Sequence, residues 1–203
     1  MRLSFFSVFV VVGILLNSCV SQNLKSNLAN VCITEKEKEI ADLINNYRLE
    51  NGLDPIPISK SLTKVAQVHA KDLSYNRPYT LNGCNMHSWS TKGSWSSCCY
   101  TKKHENKDCM WNKPKELTNY KGLGYEICFG FTETEVYAGD TIAPLAAFNA
   151  WKLSPGHNAV LINKEEWKFA EWNAIGVGIN RDFVCVWFGQ ENDYESPPTK
   201  CLN

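Results

Sequence analysis

With 203 residues, the chain is long enough for one compact domain of moderate size. Its 21 basic and 21 acidic side chains cancel, so no charge excess draws it to nucleic acid or to an anionic membrane surface. Seven tryptophans supply bulk for a well-filled core.

Residues 1–18 stand apart from that core. A single charge, Arg2, precedes the apolar stretch FFSVFVVVGILL, the pattern of a secretion signal and too short to span a bilayer comfortably. Two exits from this signal are open. Ordinary cleavage near Ser21 gives a secreted protein. LNSC, Leu16 to Cys19, is similar to a bacterial lipoprotein box, in which Cys19 is lipidated and becomes the new N-terminus, although Asn17 is not the usual small residue there. The chain then divides into a signal over 1–21 (ending at 18 if lipidated), a short polar lead over 22–33 and one domain over 34–203.

Either exit removes Cys19 from the folding inventory and leaves eight cysteines: Cys32, Cys84, Cys98, Cys99, Cys109, Cys128, Cys185 and Cys201. An even number in an exported chain points to up to four disulfides, with free buried thiols as the alternative for some of them. Adjacent Cys98 and Cys99 fit disulfide geometry poorly and are not expected to bond each other. No Cys-x-x-Cys pair occurs, so a zinc–cysteine site is not expected.

In TEKEKEIADLINNYRLENG, Thr34 and Glu37 form a capping-box signature, and Ile40, Leu43, Ile44 and Tyr47 repeat at helical spacing up to the stop at Gly52. Two prolines break the chain in LDPIPIS. A second helix follows from about Ser59 to Ser74, with Leu62, Val65, Ala66, His69 and Leu73 on one face. Residues 75–121 carry four cysteines, three tryptophans and no sustained period, which predicts a cysteine-stapled excursion with short helical turns. GLGYEICFGF, 122–131, reads as a strand. DTIAPLAAFNAWKL, 140–153, reads as a third helix with Ile142, Leu145, Phe148 and Trp151 aligned and Pro144 tolerated in its first turn. NAIGVGI and FVCVWFGQ read as two strands joined by a hairpin at 180–182, and their nearly continuous apolar runs predict a sheet covered on both faces. The polar tail after Gln190 is expected to be held by Cys201. The pattern is α+β, helices on both sides of a small antiparallel sheet.

Four histidines are present. His69, on an apolar helix face, is expected to be a hydrogen-bonded core residue, and His104, in KKHENKD, a solvated one. His87 sits in CNMHSWS. His157 follows LSPG, read as a turn leaving the third helix. Glu126 is a carboxylate inside an apolar strand, where it needs a partner. Arg48 is one choice of partner; one or two imidazoles are the other. Two histidines and a carboxylate also match a catalytic-type zinc set with an open position.

INNYR, LTKVAQVHAKDL, MHSWS, GYEI, AFNAWKLSPGH, AIGVGI and VCVWFGQ occur in this order between about Glu35 and Gln190. In this ordered set the chain resembles the CAP superfamily of cysteine-rich secretory proteins, venom antigens and plant pathogenesis-related proteins, and W-x-x-SPGH is more similar to its bacterial branch. The resemblance implies an α-β-α sandwich with a wide central cleft commonly lined by two histidines and two glutamates. On this chain His87, Glu126 and His157 match three of them. Ser154 stands where the second glutamate belongs, so a four-ligand set does not carry over; a three-residue site with water, aided by Ser88, is left.

Several functions fit this reading. The first is an exported protein whose cleft, lined by His87, Ser88, Glu126, Ser154 and His157, binds a small molecule, a lipid, an extracellular protein partner or a divalent metal such as zinc, without turnover. No nucleic acid is expected, and a membrane only through a lipid at Cys19. The second is a zinc-dependent hydrolase using His87, Glu126 and His157, although Glu126 cannot easily be both ligand and general base. A carbohydrate-binding or adhesion module would need Trp89, Trp95 and Trp111 exposed. Nucleophilic catalysis by Ser154 lacks an elbow motif.

Overall fold

The computed structural model describes residues 28–131 and 143–202. The signal with Cys19, the first part of the polar lead and Ile142 lie outside the described residues.

Helix α1 spans Glu35–Glu50. Thr34 caps it, its hydroxyl accepting from the Glu37 N–H while the Glu37 carboxylate accepts from the Thr34 N–H. The apolar stripe of Ile40, Ala41 and Ile44 is fully buried. Helix α2 spans Lys60–Asn76, with the Ser59 hydroxyl accepting from the Leu62 N–H. The sheet consists of β2, Gly124–Gly130, β3, Ala174–Asn180, and β4, Phe183–Gly189, all antiparallel with β4 in the centre. Asn180 pairs with Phe183 around the expected hairpin, and Arg181 takes φ +48° in its turn.

The continuous apolar run of β4 hides a strict alternation. Phe183, Cys185 and Trp187 face α2, while Val184, Val186 and Phe188 face the opposite layer. On β3 the α2 side is kept almost empty: a Cβ on Gly176 or Gly178 would lie 2.0 or 2.2 Å from backbone atoms of α2. These glycines let the helix backbone rest directly on the sheet. The other face is covered by α1, by α5, Pro144–Leu153, and by α6, Pro155–Leu161. The result is the expected α-β-α sandwich.

Three local expectations change. Ser154-Pro155-Gly156 is not a turn leaving a helix but the start of α6, with proline at its first position. Leu145 is 53% exposed, so α5 packs through Ala147, Phe148 and Trp151 instead. The polar lead enters the fold at its end: Val31 and Ile33 are buried, and β1, Cys32–Ile33, pairs in parallel with β5, Thr199–Lys200, beside the Cys32–Cys201 disulfide.

The excursion contains α3, Lys107–Trp111, and α4, Lys113–Leu117, and carries the Cys84–Cys99 and Cys98–Cys109 disulfides. It is tied to α2 through Asp72, whose carboxylate accepts from the Ser90 N–H at 2.8 Å and the Ser90 hydroxyl at 2.5 Å. Its buried Lys113 ammonium is paired with Glu116 at 2.6 Å. Cys128 and Cys185 are free and buried.

Candidate functional site

Strand alternation puts Glu126 of β2 on the α2 side, with no side-chain surface exposed. Its two oxygens meet two different histidines. Oε1 lies 2.5 Å from Nδ1 of His69, in the middle of the buried face of α2. Oε2 lies 2.9 Å from Nδ1 of His87, which the excursion carries in over the end of the sheet. Arg48, the alternative partner, is committed elsewhere: it donates to the carbonyls of Asp54 and Leu161 and to the Asn163 side chain.

The hydrogen bonds set the protonation. Nε2 of His69 lies 3.0 Å from the Ser88 carbonyl, which can only accept, so this nitrogen carries a proton. The imidazole also stacks on Trp89 at 4.2 Å with 6° between planes. Burial works against charge on both His69 and Glu126, but their mutual attraction and hydrogen bond overcome it. The Glu126 carboxyl is drawn down to about 2, with His87 adding to the effect. His69 is driven well above its ordinary value, with Cys185 reinforcing Glu126. A carboxylate receives a proton from His87 Nδ1, which fixes that ring's tautomer and leaves the lone pair on Nε2.

His157 stands in the first turn of α6, its Nδ1 2.8 Å from the hydroxyl of Ser154, the N-cap. Burial, and then the proximity of His87, lowers its pKa, so it is a neutral imidazole at neutral pH. His87, Glu126, Ser154 and His157 line one open cavity of about 830 Å³, whose walls include Tyr100, Trp111, Tyr125, Val160 and Trp167. This is an apolar concavity with a few convergent polar groups, the form of a small-molecule site.

Ser88 takes no part in this lining. It is fully buried; its hydroxyl accepts from the Tyr100 N–H at 2.9 Å, so its role is to hold the excursion and, by its carbonyl, His69. His104 is exposed at the cavity rim, 2.8 Å from the Tyr100 hydroxyl. The tryptophans form no exposed platform: Trp89 is buried in the core, Trp95 packs on its edge, and Trp111 belongs to the cavity wall.

The sequence reading underrated His69 and overlooked a sulfur-containing cluster. Among the described residues, one group of potential metal-ligating atoms, from His69, Glu126, Cys128 and Cys185, lies within 4.8 Å of one another. The absence of Cys-x-x-Cys therefore does not exclude a site that joins cysteines across strands. Cys128 and Cys185 are direct partners in the β2–β4 ladder. Burial pushes the Cys128 thiol well above its ordinary range, and Cys185 and Glu126 add to this.

The fold has counterparts among solved structures. An extracellular protein containing an SCP domain from Bacillus anthracis str. Ames superposes with a TM-score of 0.52 at 20% identity, over 77% of this chain and 40% of that one. This chain thus spans less than half the length of the Bacillus protein. An outer surface protein from Borrelia burgdorferi gives a TM-score of 0.48 at 21% identity, over 77% of this chain and 93% of that one. A cysteine-rich secretory protein from Staphylococcus aureus subsp. aureus Mu50 gives 0.47 at 14% identity, over 77% and 39%. No curated protein matches the sequence. The model of the cysteine-rich secretory protein family (CAP) matches residues 41–182, from α1 through the hairpin of the central sheet, and the chain belongs to that family.

Proposed function

We propose that this protein acts outside the cytoplasm as a binding protein, taking a small amphipathic molecule into the cavity together with a divalent metal ion at His87 and His157. The observation that carries this reading is the Glu126–His87 hydrogen bond at 2.9 Å on the wall of an aromatic-lined cavity. A carboxylate behind an imidazole fixes which ring nitrogen is free and raises its basicity, the arrangement found behind metal-bound histidines. His157 is held similarly by Ser154. When bound, the metal would supply a positive centre for an anionic or carbonyl head, while Trp111, Val160 and Trp167 would cover an apolar body.

The same geometry favours binding over hydrolysis. A hydrolase built on His87, Glu126 and His157 needs a general base near neutral pH. Both oxygens of Glu126 are engaged by imidazoles, and its pKa of about 2 makes it a weak proton acceptor. Three disulfides support an oxidising compartment. The Bacillus relative, an extracellular protein, supports the same location. Among the described residues no helix is long and apolar enough to cross a membrane. Attachment to one would then rest on lipidation of Cys19.

Amphiphiles of increasing chain length, titrated with and without Zn²⁺, test the reading through quenching of the cavity tryptophans. Saturable binding, strengthened by Zn²⁺ in the wild type and no longer so in His87→Ala, is expected. Absence of saturable binding under both conditions would remove the amphiphile from the account.

A further inference from the structure

The cavity leaves unexplained why two thiols and an acid–imidazole pair share the interior between α2 and the sheet. Cys128 Sγ and Cys185 Sγ are 3.3 Å apart, and Cys185 Sγ is 3.8 Å from Nδ1 of His69. Cys128 is 3% exposed, and Cys185 and His69 are fully buried. The surroundings are apolar side chains such as Leu62, Val65 and Trp187. The other six described cysteines are disulfide-bonded.

We infer that His69 Nδ1, Glu126 Oε1, Cys128 Sγ and Cys185 Sγ form a second, buried site for a tetrahedral divalent metal of the zinc type. Zn–S bonds of about 2.3 Å and Zn–N or Zn–O bonds of about 2.0–2.2 Å place tetrahedral ligand atoms roughly 3.3–3.8 Å apart. The sulfur–sulfur and sulfur–nitrogen separations of 3.3 and 3.8 Å already match this spacing. Only the 2.5 Å His69–Glu126 contact must widen, as it does when a metal replaces the proton between the two atoms. Soft sulfur ligands with one imidazole select zinc over calcium or magnesium.

Both non-sulfur ligands also have outer partners in place. The other nitrogen of His69 donates to the Ser88 carbonyl at 3.0 Å, and the other oxygen of Glu126 accepts from His87 at 2.9 Å. Glu126 thus joins the two centres: one oxygen ligates the buried ion while the other orients the cavity histidine. Loading releases three protons, two from the thiols and one from the His69–Glu126 pair. Because the ligands are enclosed, the ion enters during folding and is retained in the native state.

Cobalt tests this directly. The protein, disulfides intact, is unfolded in acid with chelator, then refolded by neutralisation without oxygen in the presence of Co²⁺. One retained Co²⁺ per chain is expected, with thiolate-to-cobalt charge transfer in the near ultraviolet and the strong visible bands of a tetrahedral site. Cys185→Ser should weaken the charge-transfer band, and His87→Ala should keep it. Wild-type cobalt binding without sulfur charge transfer overturns the buried site, and if His87→Ala abolishes that binding the cavity reading survives. A Cys128–Cys185 disulfide in peptides from the exported protein also overturns it. The wild-type spectrum and peptide map decide the matter even if Cys185→Ser does not fold.

Discussion

Glu126 and His69 lie 57 positions apart in sequence, yet their side chains meet at 2.5 Å in the interior between α2 and the sheet. The contact joins the central strand layer to the helix that covers it. It also holds the carboxylate whose second oxygen orients His87.

In metal-free protein, Glu126→Gln removes one partner of a fully buried pair and should cost about 3–5 kcal/mol in urea unfolding. The pH dependence follows from the two directions. The Glu126 contribution, with its folded pKa lowered to about 2, is present above the unfolded carboxyl value and disappears as pH falls through the folded one. The His69 contribution, with its folded pKa raised, is present below the unfolded imidazole value and disappears as pH rises through the folded one. These are two faces of one interaction. The stability difference between wild type and Glu126→Gln should therefore be largest near pH 5–6.5 and shrink on both sides. A difference that does not vary with pH contradicts the ionised pair.

Gly176→Ala and Gly178→Ala each force a methyl group against the backbone of α2. Overpacking of this kind costs about 1–3 kcal/mol or more, because backbone cannot rotate away as a side chain can. A thermal midpoint unchanged from wild type in either variant would mean that α2 stands further from the sheet.

Alkylation after unfolding in chelator should label Cys128 and Cys185 and none of Cys32, Cys84, Cys98, Cys99, Cys109 or Cys201. The Cys32–Cys201 bridge clips the β1–β5 pair together across 169 positions. Its loss through Cys201→Ser should cost about 2–5 kcal/mol. Labelled Cys32 or Cys201 in wild-type peptides would contradict this assignment.

Ser154→Ala takes away the hydroxyl beside His157 Nδ1 while leaving the ring itself. Partners of this kind, behind a ligand, are worth about 10–100-fold in metal affinity. A loss of that order at the cavity, with little change in the thermal midpoint, is expected from calorimetric titration. Wild-type affinity would show that Ser154 does not position the ring.

Much of the frame was legible in the chain itself. The Thr34–Glu37 capping box, the helical stripe of α1 and the hairpin strands are local patterns, and each forms where its residues predict. Glu126 stood out because a carboxylate in an apolar strand must be satisfied. Its partnership with His69 was hidden, since a histidine on an apolar helix face has the same appearance whether a carbonyl or a carboxylate meets it. Cys128 and Cys185 become neighbours only once β4 lies between β2 and β3, a pairing order that spacing along the chain does not carry. Ser-Pro-Gly was ambiguous for a related reason, because proline suits both a turn and the first residue of a helix. What followed it, Asn158 to Leu161 buried against the core, made it α6.

The central claim is that His87 and His157 together receive a metal ion in the cavity. It is tested most directly by Zn²⁺ titration of the folded, chelator-washed protein, followed through the imidazole ring resonances. The account predicts that the signals of His87 and His157 move together and saturate at one equivalent while those of His104 stay in place, and that His87→Ala or His157→Ala abolishes the response. Movement of only one ring, or equal binding by wild type and both variants, would contradict it.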